Sequence, residues 1–240
     1  MEEIQGIIFN SIDSKESNQI VNVFTSEGFE SIYLYNAKEF SKGKLAFLMP
    51  FTYLKFSSYG SGFKKLKSYE IIDNFDYIKE DYNKSLYAYA ILFLLKSPHD
   101  EIYDSRIFDF IIKTFRLMKN KNPKDVYLLF LTKMTYVFGG KPNLDSCVVC
   151  GDKSLIDFSI IDGGFLCLKH KKNTHQYKNG LVFKELYNYN FNNDFNYEFD
   201  NNSYFEFITS YYQKLSLANL YSPLAILLAI LNLSMAVLIL

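Results

Sequence analysis

The chain has 240 residues, enough for one large or two small domains. Hydrophobic residues make up 49% and charged residues 22%, which supports a packed core and excludes global disorder. The 26 basic and 26 acidic residues cancel to a formal charge of zero, so there is no overall basic character to signal nucleic acid.

The zero hides segregation. Residues 1–35 carry six acids against Lys15 alone. Residues 36–69 carry Lys38, Lys42, Lys44, Lys55, Lys64, Lys65 and Lys67 against Glu39, and 70–110 turn acidic again. Residues 113–141 carry Lys113, Arg116, Lys119, Lys121, Lys124, Lys133 and Lys141 against Asp125. Solvated surface is the plain reading of such blocks. The excess of Phe, Tyr, Ile, Asn and Lys, with no Trp, reads as AT-rich coding as much as function. Met1-Glu2-Glu3 opens no signal peptide, so a cytoplasmic, reducing compartment is expected. There, clustered cysteines read as metal ligands before disulfides.

The first eighty residues read as five short strands. Ile4 to Phe9, Gln19 to Phe24, Ser31 to Tyr35, Ala46 to Phe56 and Lys67 to Ile72 are rich in β-branched and aromatic residues. Glycines and Asn36 punctuate them, and the pattern suggests a small barrel. The period then becomes helical. Residues 82–96 place Leu86, Ala90, Ile91, Leu94 and Leu95 on one face, and 104–119 do the same with Ile107, Phe110, Ile111, Phe115 and Met118. Asp104 or Ser105 is placed to cap the second helix. Residues 124–138 make a third, between Pro123 and Gly139-Gly140.

Residues 144–175 differ in texture, with Cys pairs, Gly, Asp and short strands. Residues 188–202 are Asn-rich and acidic, a loop or a poorly ordered segment, and 203–220 return to helix. After Lys214 there is no further charge, and Pro223 to Leu240 is almost wholly aliphatic. A final buried helix is the preferred reading, with a membrane-directed or partner-binding tail as the alternative.

Cys147-Val148-Val149-Cys150 is followed by Cys167-Leu168-Lys169-His170. A two-residue spacing turns both ligands toward one ion, and two such knuckles joined by a hairpin complete a tetrahedron. Gly151 suits the positive φ of the first turn, and Phe158 to Phe165 reads as two strands around Asp162-Gly163. The expected cofactor is a structural Zn²⁺. Four ligands leave no open position for water, and no carboxylate sits at a metallohydrolase or deaminase spacing. His175 is close enough in sequence to replace His170, although the spacing favours His170. His99 reads as a loop residue. No phosphate-cradling Gly-rich loop, dinucleotide fingerprint or nucleophile elbow is present, so a binding protein is expected rather than an enzyme.

In order and spacing these pieces resemble the bacterial RecO family, the recombination mediators of DNA repair. The resemblance is carried by Phe24-Thr25-Ser26-Glu27-Gly28, Tyr35-Asn36-Ala37-Lys38, Ser41-Lys42-Gly43-Lys44 and Leu48-Met49-Pro50-Phe51. It continues through Gly139-Gly140-Lys141-Pro142-Asn143-Leu144 into the first Cys pair, and through Gly163-Gly164-Phe165-Leu166-Cys167 into His170. It implies an α+β architecture: an N-terminal OB-fold β-barrel over 1–80, an α-helical domain over 81–143 and 176–240, and an inserted zinc-binding module over 144–175. It also implies binding of single- and double-stranded DNA, annealing of complementary strands, and partnership with RecR and single-stranded-DNA-binding protein in loading RecA. The zero net charge and the aliphatic tail depart from the family's usual pattern.

An OB-fold grips strands through a positive groove and aromatic stacking. Lys38, Lys42 and Lys44 are the expected phosphate contacts, with Lys55, Lys64, Lys65 and Lys67 beside them. Tyr35, Phe40, Phe47, Tyr53, Phe56, Tyr59 and Phe63 interleave, and alternation allows only some of them to face a ligand. Arg116, Lys119, Lys121 and Lys124 are placed to extend the path. The alternative from another class is a zinc-stabilised protein-interaction scaffold that does not touch nucleic acid.

Overall fold

The computed structural model describes residues 3–14, 17–37, 46–60, 64–96, 105–138 and 140–217. Lys38, Phe40, Lys42, Lys44, Phe63, His99, Asp104, Gly139 and the aliphatic stretch beyond Ser222 lie outside them. The chain divides into two compact units, residues 1–120 and 121–240.

The first unit is built on strands β1 (Ile4–Asp13), β2 (Gln19–Thr25), β3 (Gly28–Leu34), β4 (Tyr53–Tyr59) and β5 (Lys64–Asp73). They close into a barrel in the order β1-β2-β3-β5-β4. Every neighbouring pair is antiparallel except β3 with β5. This is an OB-like barrel. Period-2 alternation turns Val21, Val23, Ile32, Leu34, Leu54 and Phe56 inward, where they pack with Ile8, Ala37 and Phe47. Gly6 lets β1 lie close to β2. A Cβ there would stand 2.4 Å from Val23 Cγ1 and 3.2 Å from the Phe24 carbonyl oxygen.

Two sequence signatures acquire physical reasons here. Thr25 Oγ1 donates to the Gly28 carbonyl (3.0 Å) and accepts from the Glu27 N–H (3.1 Å), while Gly28 takes φ 111. The hydroxyl thus closes the β2–β3 turn. The expected strand from Ala46 to Phe56 is instead a 3₁₀ turn, Ala46–Leu48, with β4 beginning only at Tyr53. Pro50 cannot donate to a ladder, and Phe51 sits in the left-handed region at φ 63. That backbone costs about 1–2 kcal/mol, offset by burying a phenyl group worth about 1.5–3 kcal/mol. The Phe51 N–H bonds to the Ile8 carbonyl at 2.8 Å, and its ring is 2% exposed.

Helices α1 (Asp76–Lys79), α2 (Tyr82–Leu95) and α3 (Ser105–Leu117) complete this unit. Asp81 caps α2 by accepting from the Lys84 N–H at 3.1 Å. An aromatic seam joins barrel to helices. Phe24 and Tyr53 each lie 5.9 Å from Phe108, and Phe51 and Phe75 lie 6.1 and 5.6 Å from Phe115. The compact unit therefore runs past residue 80 to include these helices.

The second unit holds α4 (Pro123–Val137), strands β6 (Leu155–Ser159) and β7 (Gly164–Cys167), α5 (Tyr177–Asn188) and α6 (Asn201–Leu217). Pro123 opens α4, and Asn122 caps it through the Lys124 N–H at 2.9 Å. Buried tyrosines of α6 anchor to α4 and beyond. Tyr204 Oη lies 2.7 Å from Thr132 Oγ1, Tyr212 donates to the Leu131 carbonyl (2.8 Å) and Tyr211 to the Gly140 carbonyl (2.6 Å). Helix α5 carries Gly180 in its first turn, which weakens its sequence signal. The glycine is there for packing: a Cβ would stand 2.5 Å from Phe158 Cδ2. Residues 189–200 form an irregular loop as expected, but a packed one, with Tyr189 and Phe195 buried and their rings 5.2 Å apart.

The β6–β7 hairpin turns at Gly163, φ 78. Asn143 bridges to Gly164, its N–H bonding to the Gly163 carbonyl (2.9 Å) and its carbonyl accepting from Phe165 (3.1 Å). A Cβ on Gly164 would lie 2.5 Å from that Asn143 oxygen, so each glycine of the pair has its own reason. The far side is tied by Asp157, 4% exposed, which accepts from Thr174 Oγ1 (2.6 Å), the Lys172 N–H (2.8 Å) and the Phe158 N–H (2.9 Å). Burial works against its charge, but these donors outweigh it and hold the carboxyl below the usual range.

Two outcomes follow for stability. Gly6→Ala should cost about 1–3 kcal/mol by overpacking, read as a lowered midpoint in thermal or denaturant unfolding. Asp157 has a depressed folded pKa, so its contribution is present above the ordinary carboxylate pKa of about 3.9 and is lost as pH falls through the depressed value. Asp157→Asn should therefore destabilise at neutral pH and flatten the acid limb of stability against pH. An unchanged acid limb counts against that role.

Candidate metal centre and nucleic-acid interface

Cys147, Cys150, Cys167 and His170 converge so that one ligand atom from each lies within 4.8 Å of all the others. Cys150 Sγ is 3.7 Å from Cys167 Sγ, and His170 Nδ1 is 3.6 Å from Cys147 Sγ and 3.4 Å from Cys167 Sγ. A disulfide would need about 2.05 Å. A tetrahedral ion with bonds near 2.3 Å to sulfur and 2.0–2.1 Å to nitrogen sets edges of about 3.8 and 3.6 Å. These three edges fit such an ion, and the donor set fits a thiophilic metal.

Local backbone explains the convergence. The Cys147 carbonyl accepts from Gly151 at 2.8 Å, Gly151 takes φ 78, and the Cys147 N–H reaches the Asp152 carbonyl at 2.7 Å. The second knuckle closes through the His170 N–H to the Cys167 carbonyl at 3.0 Å. Burial raises the cost of ionising Cys147, but backbone donors around Cys167, Cys150 and Val149, with the His170 side chain, outweigh it and bring the thiol down to about 6. The Cys150 thiol is helped by a backbone contact at Asp152, yet burial and the neighbouring thiols push it upward overall. Two thiolates this close repel until a cation separates them. His175 is exposed at φ 59 and stands outside the cluster that His170 joins.

The barrel carries a shallow groove of about 510 Å³, lined by Tyr33, Leu34, Tyr35, Tyr59, Lys65 and Tyr69 among others. Tyr33 and Tyr35, two residues apart, come to one side, with ring centres 4.8 Å apart. Lys65 Nζ stands 5.0 Å from the Tyr35 ring. Tyr35 is 54% and Tyr59 48% exposed, so flat aromatic faces and a cation share one concave surface. Lys67 and Ser68 lie on its wall.

The other basic residues disperse. Lys64 pairs with Glu30 at 2.8 Å, and Lys55 pairs with Glu3. Arg116 and Lys119 are exposed at and beyond the end of α3. Lys121 and Lys124 belong to the second unit, where they donate to Asn196 (2.8 Å) and Asn202 (2.6 Å). Of the interleaved aromatics among the described residues, Phe47, Tyr53 and Phe56 are buried, leaving Tyr35 and Tyr59 for a ligand. Tyr33 and Tyr69 were not singled out from sequence. The spacing of Tyr33 and Tyr35 carries the signal for one, whereas Tyr69 reaches the groove only through barrel closure.

Among the described residues no helix is long and apolar enough to cross a membrane. A family model described as Recombination protein O N terminal matches residues 1–75, and one described as Recombination protein O C terminal matches 79–179. A DNA repair protein RecO of Bacillus mycoides (strain KBAB4) is 30% identical over 174 residues, 70% of each chain. Proteins of the same name from Bacillus cereus (strain AH187) and Bacillus anthracis are 32% identical over 175 residues, again 70% of each chain. With barrel, knuckles and both halves of the family pattern in their expected order, the chain belongs to the RecO family of DNA repair proteins.

Proposed function

We propose that this chain is a recombination mediator of the RecF pathway. It binds single- and double-stranded DNA, anneals complementary strands and, with RecR, helps load RecA onto DNA coated by single-stranded-DNA-binding protein. It works in the cytoplasm at the nucleoid, as a binding protein without catalytic turnover. The observation that carries this reading is the barrel groove, where Tyr33, Tyr35, Tyr59 and Tyr69 surround Lys65. Aromatic faces accept any base and cations accept the backbone, which gives sequence-independent grip. Lys67 adds a second cation to that wall. Lys38, Lys42 and Lys44 follow Tyr35 in the chain, and we assign them to phosphates on sequence grounds. Lys55, Lys64, Arg116, Lys119 and Lys121 are accessory in this reading, because ion pairs or side-chain amides engage several of them.

Zinc is the metal proposed for Cys147, Cys150, Cys167 and His170. Three thiolates and an imidazole at tetrahedral edges suit it, and hard cations prefer oxygen. When bound, it supplies a cross-link between the two knuckles. The partition is then functional: a strand-gripping barrel over 1–80, a helical platform over 81–143 and 176–240, and a stapled module over 144–175.

Two measurements test these assignments. Lys65→Glu with Lys67→Glu should weaken binding of a labelled single-stranded oligonucleotide by at least about tenfold at low salt, and flatten the salt slope by roughly 0.7 per lost phosphate contact. Tyr35→Ala and Tyr59→Ala should each cost about 1–3 kcal/mol. Unchanged affinity in all of these variants removes the groove from the mechanism. Elemental analysis of protein purified without added metal should find one zinc per chain, and Cys150→Ser, at an exposed position, should lose it and lower the unfolding midpoint. Full stability without metal would rule out the staple.

A further inference from the structure

The three thiols of the Cys/His cluster are not equivalent. Cys147 and Cys167 are each 1% exposed and pack with Leu166 in the small core of the module. Cys150 is exposed. A small molecule arriving from solvent therefore meets the Cys150 sulfur first. Behind it, at 3.7 Å, stands the Cys167 sulfur, and the two belong to different knuckles. Cys167 is held at the end of β7, opposite Leu155, and its carbonyl accepts from the His170 N–H. The other side has room. Cys150 lies in a turn, and Gly151 follows it at φ 78 with nothing within 4 Å of where a Cβ would stand. Bringing the two sulfurs to a bond of about 2.05 Å asks for a shift of roughly 1.7 Å, which side-chain rotation at Cys150 and this open turn supply.

We propose that Cys150 and Cys167 are a redox-modification site, which hydrogen peroxide converts to a disulfide across the two knuckles as the metal leaves. The proposal rests on the zinc reading above and adds a second state to it. A thiol beside a divalent ion is deprotonated outright. An accessible thiolate with a second sulfur behind it is the arrangement that peroxide oxidises. In the first step an electron pair of the Cys150 thiolate attacks the peroxide. The O–O bond breaks, a sulfenic acid forms and hydroxide leaves. In the second step the Cys167 thiolate attacks that sulfur. The S–S bond forms, the S–O bond breaks and a second hydroxide leaves. The two sulfurs give up two electrons and the peroxide takes them. Only Cys147 and His170 then remain as donors, too few for a closed tetrahedral site.

The identity of the pair decides what happens to the fold. A link between Cys147 and Cys150 closes one knuckle on itself and leaves the two knuckles unconnected once the cation has gone. A link between Cys150 and Cys167 joins the same two knuckles that the cation joins, and it encloses the β6–β7 hairpin between them. A covalent staple then replaces a coordinate one and the module keeps its shape. A thiol reductant opens the disulfide by exchange, and the donors are free for the ion again.

The test uses the full chain, purified with its metal and treated with an equimolar dose of hydrogen peroxide. Peptide mapping should find Cys150 linked to Cys167, at a mass lower by two hydrogens than the reduced peptides. A chromogenic chelator should collect the released zinc in step with that link. Dimedone added with the peroxide should trap the sulfenic acid on Cys150. The oxidised chain should keep most of the rise in unfolding midpoint that zinc gives over the reduced, metal-free chain, and dithiothreitol with zinc should restore the starting protein. A Cys147–Cys150 link, dimedone on Cys147 or Cys167, or a midpoint as low as that of the reduced, metal-free chain overturns the proposal. So does a treated chain that still holds its zinc and three free thiols. The zinc reading fails separately. If the purified chain holds no zinc, that assignment falls, while mapping of the same peroxide-treated chain still decides whether Cys150 and Cys167 pair.

Discussion

A two-stranded hairpin cannot hold itself in water, and the module of residues 144–175 is little more than that. Its own buried cluster is Cys147, Leu166 and Cys167, with Val148 and Leu155 against it. Two of those three core residues belong to the Cys/His cluster. The convergence of Cys147, Cys150, Cys167 and His170 therefore stands in for the hydrophobic core that the segment lacks. The other ties are at the base of the hairpin: Asn143 on Gly164, Thr174 on Asp157, and Phe158 packed against Gly180. The module is thus gathered at two ends, by the Cys/His cluster at the tip and by backbone and aromatic contacts where it joins the helices.

The barrel follows a different rule. It needs no cross-link, because closure leaves no free edge and alternation fills the interior with Val, Ile, Leu and Phe. What distinguishes it is the amount of aromatic surface outside the barrel core. Part of that surface is spent on the seam through Phe24, Phe51, Phe75, Phe108 and Phe115, and part is left open at Tyr35 and Tyr59.

Much of this is legible in the sequence. The knuckle spacing picks out the four residues that converge, because covalent geometry allows few alternatives, and the helical stripe at 104–119 is strongly periodic. The stretch 46–56 has the local composition of a strand, but Pro50 and the left-handed Phe51 delay the strand to Tyr53. Helix α5 was not singled out because Gly180 answers to Phe158, a residue in another element. The basic block 36–69 was legible as charge but not as a surface. Pairing with Glu30 and Glu3 depends on which strands meet, and that information is non-local.

The parallel contact between β3 and β5 consists, among the described residues, of the two register pairs Ile32–Lys64 and Tyr33–Lys65. By contrast, β2 and β3 are matched along their whole length, from Gln19–Leu34 to Thr25–Gly28. The barrel is therefore closed most thinly where Tyr33 on one strand faces Lys65 on the other, and both residues line the groove. Whatever lies across them touches both sides of that seam. An occupant that needs both banks binds only the closed form, and by mass action it adds its own binding free energy to closure. Occupancy and barrel integrity are then one linked equilibrium.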